Sequence, residues 1–398
     1  MVPPNVRQII STLEFNGYEA FVVGGCVRDM LRGVVPKDWD IATSATPQQT
    51  KALFSRTVDT GIKHGTVTVL LDKCPFEVTT YRIDGEYRDN RRPESVKFSG
   101  NIEEDLSRRD FTMNAIAYNE TKGFVDPFNG RGDIEIRLIR CVGEASHRFA
   151  EDALRMLRAI RFAAVTGFSV DDEILLAISQ LKQNLARISP ERIREELGKL
   201  IRAPYPVALD MLCATGLMPF VLHGRDFLGD LGEIIRQLQA CPVNEPMRLA
   251  LFLLWSGEEC ENILRDSRFD NKTIKEVSQY ARLLPEPLPI SRYEIKKILR
   301  ILPQEYFENL LTLKSITEPS KEIESVRKEA QEILNDGECF TLKNLAINGK
   351  DLSQMGILPG ETMGNILEKL LDEVMQDASQ NVRNILIEKA LQSNIYEK

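Results

Sequence analysis

The sequence predicts an α+β protein, with a small mixed sheet and flanking helices in the first third of the chain and helices in the remainder. Two observations support this prediction. Short alternating apolar runs between glycine and proline residues precede Val142, whereas apolar residues recur at helical spacing after it. With 398 residues, the chain also exceeds what one hydrophobic core usually serves, so two or more domains are expected.

The first third begins with a predicted helix over 6–16 and a strand over 18–23 that enters a glycine turn. A short helix over 26–32, closed by Gly33, precedes a second strand over 38–42. Thr46 and Pro47 form the N-cap and first-turn pattern of a helix that reaches Phe54. Alternation over 66–69 and 76–81 predicts a β-hairpin, which completes the sheet.

The remainder is predicted to be helical. Apolar residues lie on one side of a helix over 149–164, and Ser189-Pro190 opens a helix that runs to Ile201. The Pro-rich segment 284–289 is predicted to join two helical subdomains. Further helices are predicted over 207–213, 228–240, 246–255, 274–284, 293–301, 304–314 and, with an amphipathic pattern, 363–374.

The composition excludes several classes of protein. The seven cysteines are scattered and never take a C-x-x-C spacing, which argues against a disulfide framework and a zinc site. No apolar run is long enough to span a bilayer and no signal sequence is evident, so we expect no membrane association and a cytoplasmic location. A net charge of −8 opposes generic nucleic-acid binding, so any RNA contact must come from local basic clusters.

Asp38 and Asp40 follow closely on the doubled glycine Gly24-Gly25. If the segment is a strand, residues i and i+2 share a face, so both carboxylates could bind one or two hard cations. Glycine would let backbone N–H groups approach triphosphate oxygens. This combination favours metal-dependent nucleotidyl transfer, although a turn followed by a surface strand with two acids would give the same short pattern.

Two further polar motifs are candidates for substrate binding. Arg108 and Arg109 stand beside Asp110 at what the sequence predicts to be a helix start, where they could grip triphosphate and ribose or simply be solvated. Asp152, Arg155 and Arg158 repeat at three-residue spacing along a predicted helix. That spacing suits i,i+3 ion pairing, but it also suits recognition of a base.

The base-recognition hypothesis follows from the edges of the bases. Cytosine and adenine each place an amino donor beside an unprotonated ring nitrogen, whereas uracil and guanine carry N–H at that ring position. Asp152 accepting from the amino group and Arg155 donating to the ring nitrogen would select C and A, each lost bidentate match costing about 1–3 kcal/mol. Protein side chains would then replace a nucleic-acid template.

These residues carry a resemblance to a known family. GGCVRDMLRG, DWDIATSATP, IDGEYRDNRRPESVKF, EEDLSRRDFTMNAIAY, DPFNG, EDALRMLRAIRFAAVTGF and ISPERIREEL occur in order over about residues 20 to 200. Together they resemble the class II tRNA nucleotidyltransferases, the family of the bacterial CCA-adding enzymes. The helical remainder is similar only in fragments.

The resemblance implies four domains, with a polymerase-β-like nucleotidyltransferase head over 1–140 and a helical neck over 141–202 that recognises the base. A helical body over 203–284 and a helical tail over 285–398 that binds tRNA would follow. Scattered lysines of the tail, such as Lys296, Lys297, Lys343 and Lys350, are candidate tRNA contacts.

The resemblance also implies roles for individual residues. Asp38 and Asp40 would be catalytic and bind Mg²⁺, with Glu77 on the neighbouring strand as a candidate third carboxylate. The incoming CTP or ATP would be bound by Gly25, Arg28, Arg109, Asp152, Arg155, Arg158 and Arg161. The tRNA 3′-hydroxyl would attack the α-phosphate and release pyrophosphate. We expect tRNA as the macromolecular partner and predict no protein partner.

The loop over residues 84–93 helps to separate subclasses of the family that the chain resembles, since related CC-adding enzymes look shortened there. Its presence here favours addition of A, and its candidate residues are Asp84, Gly85, Tyr87, Asp89, Arg91 and Arg92. An ordinary exposed connection is the alternative. Three functional alternatives stay open: an A-adding enzyme that works with a separate CC-adding enzyme, a poly(A) polymerase, and an RNA-binding protein on a catalytically dead scaffold.

Overall fold

The computed structural model describes residues 2–85 and 96–396, and it divides the chain into two compact units. The N-terminal unit comprises Met1–Gln239 and Asn262–Phe269, and the C-terminal unit comprises Ala240–Glu261 and Asp270–Lys398. More than one compact unit was expected from the length. The finer division into head, neck, body and tail stays a prediction.

A mixed sheet forms the core of the first third, as predicted. Seven strands lie in the order β3-β4-β5-β2-β1-β8-β9; β2 and β5 are parallel and the other neighbours antiparallel. Two further pairs are β6-β7 and the parallel β10-β11. The strands are β1 Ala20–Val23, β2 Asp40–Thr43, β3 Thr57–Gly61, β4 Thr66–Leu71, β5 Cys74–Thr80, β6 Arg82–Asp84, β7 Val96–Phe98, β8 Ala117–Asn119, β9 Gly123–Val125, β10 Leu138–Ile139 and β11 Ser169–Val170.

Helices flank this sheet and make up the rest of the N-terminal unit. Thr46 forms a capping box at the start of α3, as its sequence pattern predicts. The helices are α1 Pro4–Phe15, α2 Gly25–Leu31, α3 Pro47–Leu53, α4 Ile102–Ser107, α5 Gly130–Glu135, α6 Ala145–Glu151, α7 Leu154–Thr166, α8 Asp172–Leu181, α9 Pro190–Ile201, α10 Asp210–Ala214, α11 Met218–Val221 and α12 Leu231–Ala240, with 3₁₀ turns at Ile62–His64, Thr112–Asn114, Lys182–Arg187 and Pro206–Leu209.

The described part of the C-terminal unit is helical. One apolar cluster joins α16, α17 and α18, and a second joins α19, α20 and α21. No helix among residues 2–85 and 96–396 is both long and apolar enough to cross a bilayer. The helices are α13 Glu245–Leu253, α14 Glu259–Asp266 (which crosses the boundary between the units), α15 Asn271–Leu283, α16 Arg292–Ile301, α17 Gln304–Thr317, α18 Ile323–Asn335, α19 Gly349–Gln354, α20 Glu361–Gln376 and α21 Arg383–Tyr396, with 3₁₀ turns at Leu254–Ser256, Leu342–Asn344 and Ala378–Gln380.

Three expectations about local structure were wrong. Strand β2 begins at Asp40 and Asp38 lies in the preceding bend, because β1 gives way to the glycine turn and offers no strand opposite Asp38. Arg108 and Arg109 follow the end of α4 instead of starting a helix. Asp152 has extended φ and ψ of −139° and 105°, so it separates α6 from α7 and does not share a helical stripe with Arg155.

One expectation about the tail was also wrong. Lys296 is only 2% exposed, and its ammonium forms an ion pair with Glu338 and donates to the carbonyl oxygen of Met375 at 3.1 Å. Because its charge is neutralised inside the C-terminal unit, Lys296 is unavailable to RNA. Lys297, Lys343 and Lys350 are exposed and remain candidates.

Candidate active site

The glycine turn between β1 and α2 forms one wall of the candidate active site. Gly24 has φ 77° and ψ −127°, a conformation that glycine adopts without steric cost, and its N–H donates to the Ile116 carbonyl at 3.2 Å. A Cβ on Gly24 would stand 2.6 Å from Nη1 of Arg109. The glycine is therefore needed both for the turn and for the close approach of the Arg109 guanidinium.

Carboxylates gather at the start of β2. Asp40 pairs in register with Glu77 on the parallel strand β5. Burial in the crowded pocket raises the pKa of Asp40, with Arg109 opposing and Asp38 reinforcing the shift. Burial likewise raises the pKa of Glu77, helped by the charges of Asp40 and Asp38. Burial and mutual repulsion thus disfavour the ionised carboxylates, and a bound cation would offset both effects.

The donor set also fits a hard divalent cation, because carboxylate oxygens are its preferred ligands. Within the part of the chain that the structure describes, no three His, Cys, Asp or Glu side chains are arranged to hold a metal ion. Asp38 and Asp40 would therefore act as a pair. Mg²⁺ is commonly bound by one or two carboxylates, with substrate phosphates and water completing its coordination.

Buried acids orient the arginines that face these carboxylates. Asp105 is 1% exposed and accepts hydrogen bonds from Nη2 of Arg108 at 2.8 Å and from Nη2 of Arg109 at 3.3 Å. Burial opposes ionisation of Asp105, but the two arginines outweigh it and hold its pKa below the usual value. Arg28 on α2 donates to Oδ1 of Asn114 at 2.8 Å. The guanidinium groups of Arg28, Arg108 and Arg109 are thus held in place without any substrate.

Asp110 anchors a fourth arginine, Arg158. Its Oδ2 accepts a hydrogen bond from Nε of Arg158 at 2.7 Å, and its Oδ1 accepts one from Nδ2 of Asn114 at 3.2 Å. Burial raises the pKa of Asp110, but the charges of Arg158 and Arg155 prevail and bring it to about 2. Asp110 is therefore ionised at neutral pH and fixes Arg158.

Helix α9 contributes a third buried acid, Glu196. Oε2 of Glu196 accepts from Nε of Arg161 at 2.5 Å, and Oε1 lies 3.9 Å from Nη1 of Arg158. Glu196 is almost fully buried, so the pair joins α7 to α9 in a region with little water. The predicted site residues Arg158 and Arg161 are consequently parts of one charge network.

Asp152 and Arg155 have different partners from those that their spacing suggested. Asp152 accepts from Arg192 on α9, at 3.3 Å to Oδ1 and 2.7 Å to Oδ2. Arg155 donates to Oε2 of Glu151 at 2.5 Å and to the Arg108 carbonyl at 3.0 Å. Both side chains still line the same cavity.

All of the predicted catalytic and nucleotide-binding residues meet in one open cavity of about 920 Å³. Its lining also includes residues that the sequence analysis did not select as site residues. Arg192 belongs to the ISPERIREEL motif, and Asp110 and Asn114 belong to EEDLSRRDFTMNAIAY, so the motifs indicated these segments. The motifs could not indicate which side chains reach the cavity, because that depends on tertiary packing. The lining residues are Gly24, Gly25, Arg28, Asp38, Asp40, His64, Arg82, Arg108, Arg109, Asp110, Asn114, Asp152, Leu154, Arg155, Arg158, Arg161, Phe162, Arg192 and Lys199.

The predicted loop is only partly described. Asp84 ends strand β6 and Gly85 follows it. Tyr87, Asp89, Arg91 and Arg92 lie outside the described residues. The role of the loop in adding A stays a prediction.

Three family models match successive parts of the chain. "Poly A polymerase head domain" matches residues 20–140, "Probable RNA and SrmB-binding site of polymerase A" matches 167–227, and a tRNA nucleotidyltransferase domain 2 model matches 244–390. The CCA-adding enzyme of Geobacillus thermodenitrificans is 42% identical over 363 residues, which cover 88% of this chain and 87% of the relative. The chain belongs to the CCA-adding enzyme family.

Other members of the CCA-adding enzyme family support the assignment. The enzyme of Lactiplantibacillus plantarum is 36% identical over 96% of this chain and 95% of its own length. The crystal structure of the Bacillus stearothermophilus CCA-adding enzyme in complex with CTP superposes with a TM-score of 0.85 at 33% identity, covering 100% of this chain and 99% of that one. The predicted family and the α+β fold are therefore confirmed.

Proposed function

We propose that this chain adds CCA to the 3′ end of tRNA without a nucleic-acid template, taking CTP and ATP and releasing pyrophosphate. The observation that carries the proposal is that Asp38 and Asp40, the Gly24-Gly25 turn and the basic residues of α7 line one cavity. Membership of the CCA-adding enzyme family supports it over a poly(A) polymerase. Because its proposed substrate is tRNA, we infer a cytoplasmic location.

Nucleotidyltransferases generally use divalent metal ions, and we infer that Mg²⁺ is the ion here. Asp38 and Asp40 would hold it. When bound, it would lower the pKa of the attacking hydroxyl and neutralise charge on the departing pyrophosphate. The chain itself supplies the positive counterpart, since Arg109 lies against the glycine turn where a triphosphate would approach.

In the reaction, the 3′-oxygen of tRNA bonds to the α-phosphorus of the nucleotide as the bond to the β-phosphate breaks. The protein's contribution is to hold the phosphates in place and stabilise their charge. Arg28, Arg109 and Arg158 suit this role because Asn114, Asp105 and Asp110 already fix their guanidinium groups. Little reorganisation is then needed when the nucleotide binds.

Selection of C and A is the most specific part of the proposal. A carboxylate offers about four lone-pair sites. The backbone N–H of Leu154 and Nη1 of Arg192 use Oδ1 of Asp152, and Nη2 of Arg192 uses one site on Oδ2. The remaining site on Oδ2 can accept from the amino group of cytosine or adenine. Arg192 would thus orient Asp152 while leaving one acceptor for the base.

The test is nucleotide incorporation onto tRNA transcripts that end before CCA, after C and after CC. We expect growth of the shortest transcript by CCA when CTP and ATP are both present, and no use of UTP or GTP. Addition only to the CC end would indicate an A-adding enzyme, and a long A ladder would indicate a poly(A) polymerase. Asp40→Ala should abolish incorporation while tRNA binding persists; unchanged incorporation would refute the catalytic assignment.

A further inference from the structure

A second cavity, of about 700 Å³, lies in the N-terminal unit and shares no described lining residue with the catalytic cavity. Helix α2 connects the two. Gly25 and Arg28 face the catalytic cavity, whereas Leu31 and Arg32 at the other end line the second one. With a rise of 1.5 Å per residue, this two-turn helix separates the cavities by about 10 Å.

Three arginines and two acids line the second cavity. Arg32, Arg131 and Arg137 line it, together with Asp126 and Glu135. Asp126 accepts the backbone N–H groups of Gly130 at 2.7 Å and Arg131 at 2.9 Å, so its carboxylate already caps the start of α5.

The arginines are not all used by the fold. Arg32 is already engaged, since its Nη1 donates to Oδ1 of Asp29 and its Nη2 to the Thr166 carbonyl, both at 3.3 Å. Arg131 and Arg137 are exposed, and neither forms an ion pair among residues 2–85 and 96–396. The Arg131 guanidinium lies 4.7 Å from the ring centroid of Phe124, which orients it without neutralising it. Two guanidinium groups are therefore available to an anionic ligand.

An aromatic ring completes the cavity. Tyr205 is 47% exposed, and its backbone N–H donates to the Ala164 carbonyl at 3.0 Å. A Cβ on Gly167 would stand 3.0 Å from Cζ of Tyr205, so the tyrosine ring packs directly on the glycine. Gly167 also has φ 71°, which favours glycine. The ring is thus held on one side while part of it remains open to a ligand.

We propose that this cavity binds one nucleotide of the tRNA strand upstream of the reacting 3′ end. Arg131 and Arg137 contact its phosphate, and Tyr205 stacks on its base. The inference rests on the proposed function, which supplies tRNA as the partner.

Three observations favour a strand of RNA over free nucleotide. The cavity lies about 10 Å from the place where the 3′ end must react, by the length of α2. A ring beside guanidinium groups is the usual combination for an unpaired nucleotide. Tyr205 also belongs to the segment that matches the RNA-binding family model.

The experiment measures tRNA affinity between about 50 and 200 mM salt, the KM for CTP and CCA addition in the same preparations. The Arg131→Ala/Arg137→Ala double variant should bind tRNA roughly tenfold more weakly, with a log–log salt slope smaller by about 1, because one phosphate contact is lost. Tyr205→Ala should weaken binding on the order of tenfold without changing the slope, and Tyr205→Phe should restore it. Arg236→Ala, which removes an exposed arginine paired with Glu233, is the control and should match the wild type.

Several outcomes would overturn the inference. Wild-type tRNA affinity and slope in the double variant would exclude an RNA contact at this cavity. A changed KM for CTP with unchanged tRNA affinity would show that the cavity takes free nucleotide instead. Failure of the unaltered chain to add CCA would refute the proposed function. Normal CCA addition by the unaltered chain, with wild-type tRNA binding by the variants, would refute only the role of the second cavity.

Discussion

Gly24 shows how one residue determines the position of another in the site. Replacing it with alanine would impose a Cβ at φ 77° and bring that atom 2.6 Å from Nη1 of Arg109. We expect Gly24→Ala to raise the KM for CTP by at least tenfold, because Arg109 must move. Gly33→Ala is a matched control: its φ is 73°, but a Cβ there meets nothing within 4 Å.

Both variants should lose stability through backbone strain, by on the order of 1–3 kcal/mol each. Only Gly24→Ala should change nucleotide affinity. Equal KM values for the two variants would show that displacement of Arg109 does not matter for binding.

Asp40 links stability to pH. Its folded-state pKa is raised above the unfolded value of 3.8, so its ionised form opposes folding. Asp40→Asn should therefore increase the free energy of unfolding at pH 7 in the absence of metal. The gain should shrink as pH falls through the raised pKa and vanish below 3.8, where both states of the wild type hold the proton.

Addition of Mg²⁺ provides a second readout for the same residue. The wild type should gain thermal stability, since a ligand of the native state stabilises it, and Asp40→Asn should gain much less. Asp59→Asn is the control, because Asp59 is an exposed acid paired with Lys51 outside the cavity. Lower stability of Asp40→Asn at pH 7 without metal would contradict the electrostatic argument.

At the scale of elements, helix α9 contributes side chains to a site whose predicted residues lay on other segments. Its start at Ser189-Pro190 and its end at Ile201 were predicted correctly, because proline at N1 is a local signal. The pairing of Arg192 with Asp152 and of Glu196 with Arg161 could not be predicted, since it depends on how α7 and α9 pack.

The break between α6 and α7 was missed for a related reason. Arg155 and Arg158 keep their spacing from Asp152 whether or not the helix is continuous, so periodicity does not reveal the extended backbone at Asp152. The sequence motifs predicted many of the residues that line the cavity. Their hydrogen-bond partners could not be predicted, because residues distant in sequence supply them.

Arg192 allows a test of the contact between the two helices. Arg192→Ala should free the Asp152 carboxylate to rotate and reduce discrimination of CTP over UTP on the order of tenfold. Stability should change by at most about 1 kcal/mol, since the ion pair is partly exposed. The control is Arg194→Ala on the same helix, whose guanidinium lies 5.7 Å from the ring of Phe269. Unchanged discrimination in Arg192→Ala would refute the orienting role.

At the scale of the whole molecule, an acidic chain carries a basic site. The lining of the catalytic cavity has nine Arg or Lys residues and four Asp residues, an excess of five positive charges, although the chain has a net charge of −8. Positive charge is therefore concentrated locally in this acidic chain, and contact of that charge with RNA stays a prediction. The net charge could not reveal where positive charge concentrates, because that depends on the fold.

The exposed lysines of the C-terminal unit provide the last test. Lys297→Ala/Lys343→Ala/Lys350→Ala should weaken tRNA binding and reduce the salt slope by about 1 for each lysine that contacts a phosphate. The KM for ATP should not change, because the proposed nucleotide site lies in the N-terminal unit. Lys296→Ala is the contrasting variant: Glu338 keeps its ion pair with Arg292, but the buried Met375 carbonyl loses its donor, so stability should fall by about 1–3 kcal/mol. Its salt slope should stay at the wild-type value. If the triple variant raised the KM for ATP as much as the Kd for tRNA, the hypothesis that the tail contacts tRNA but not the nucleotide would be refuted.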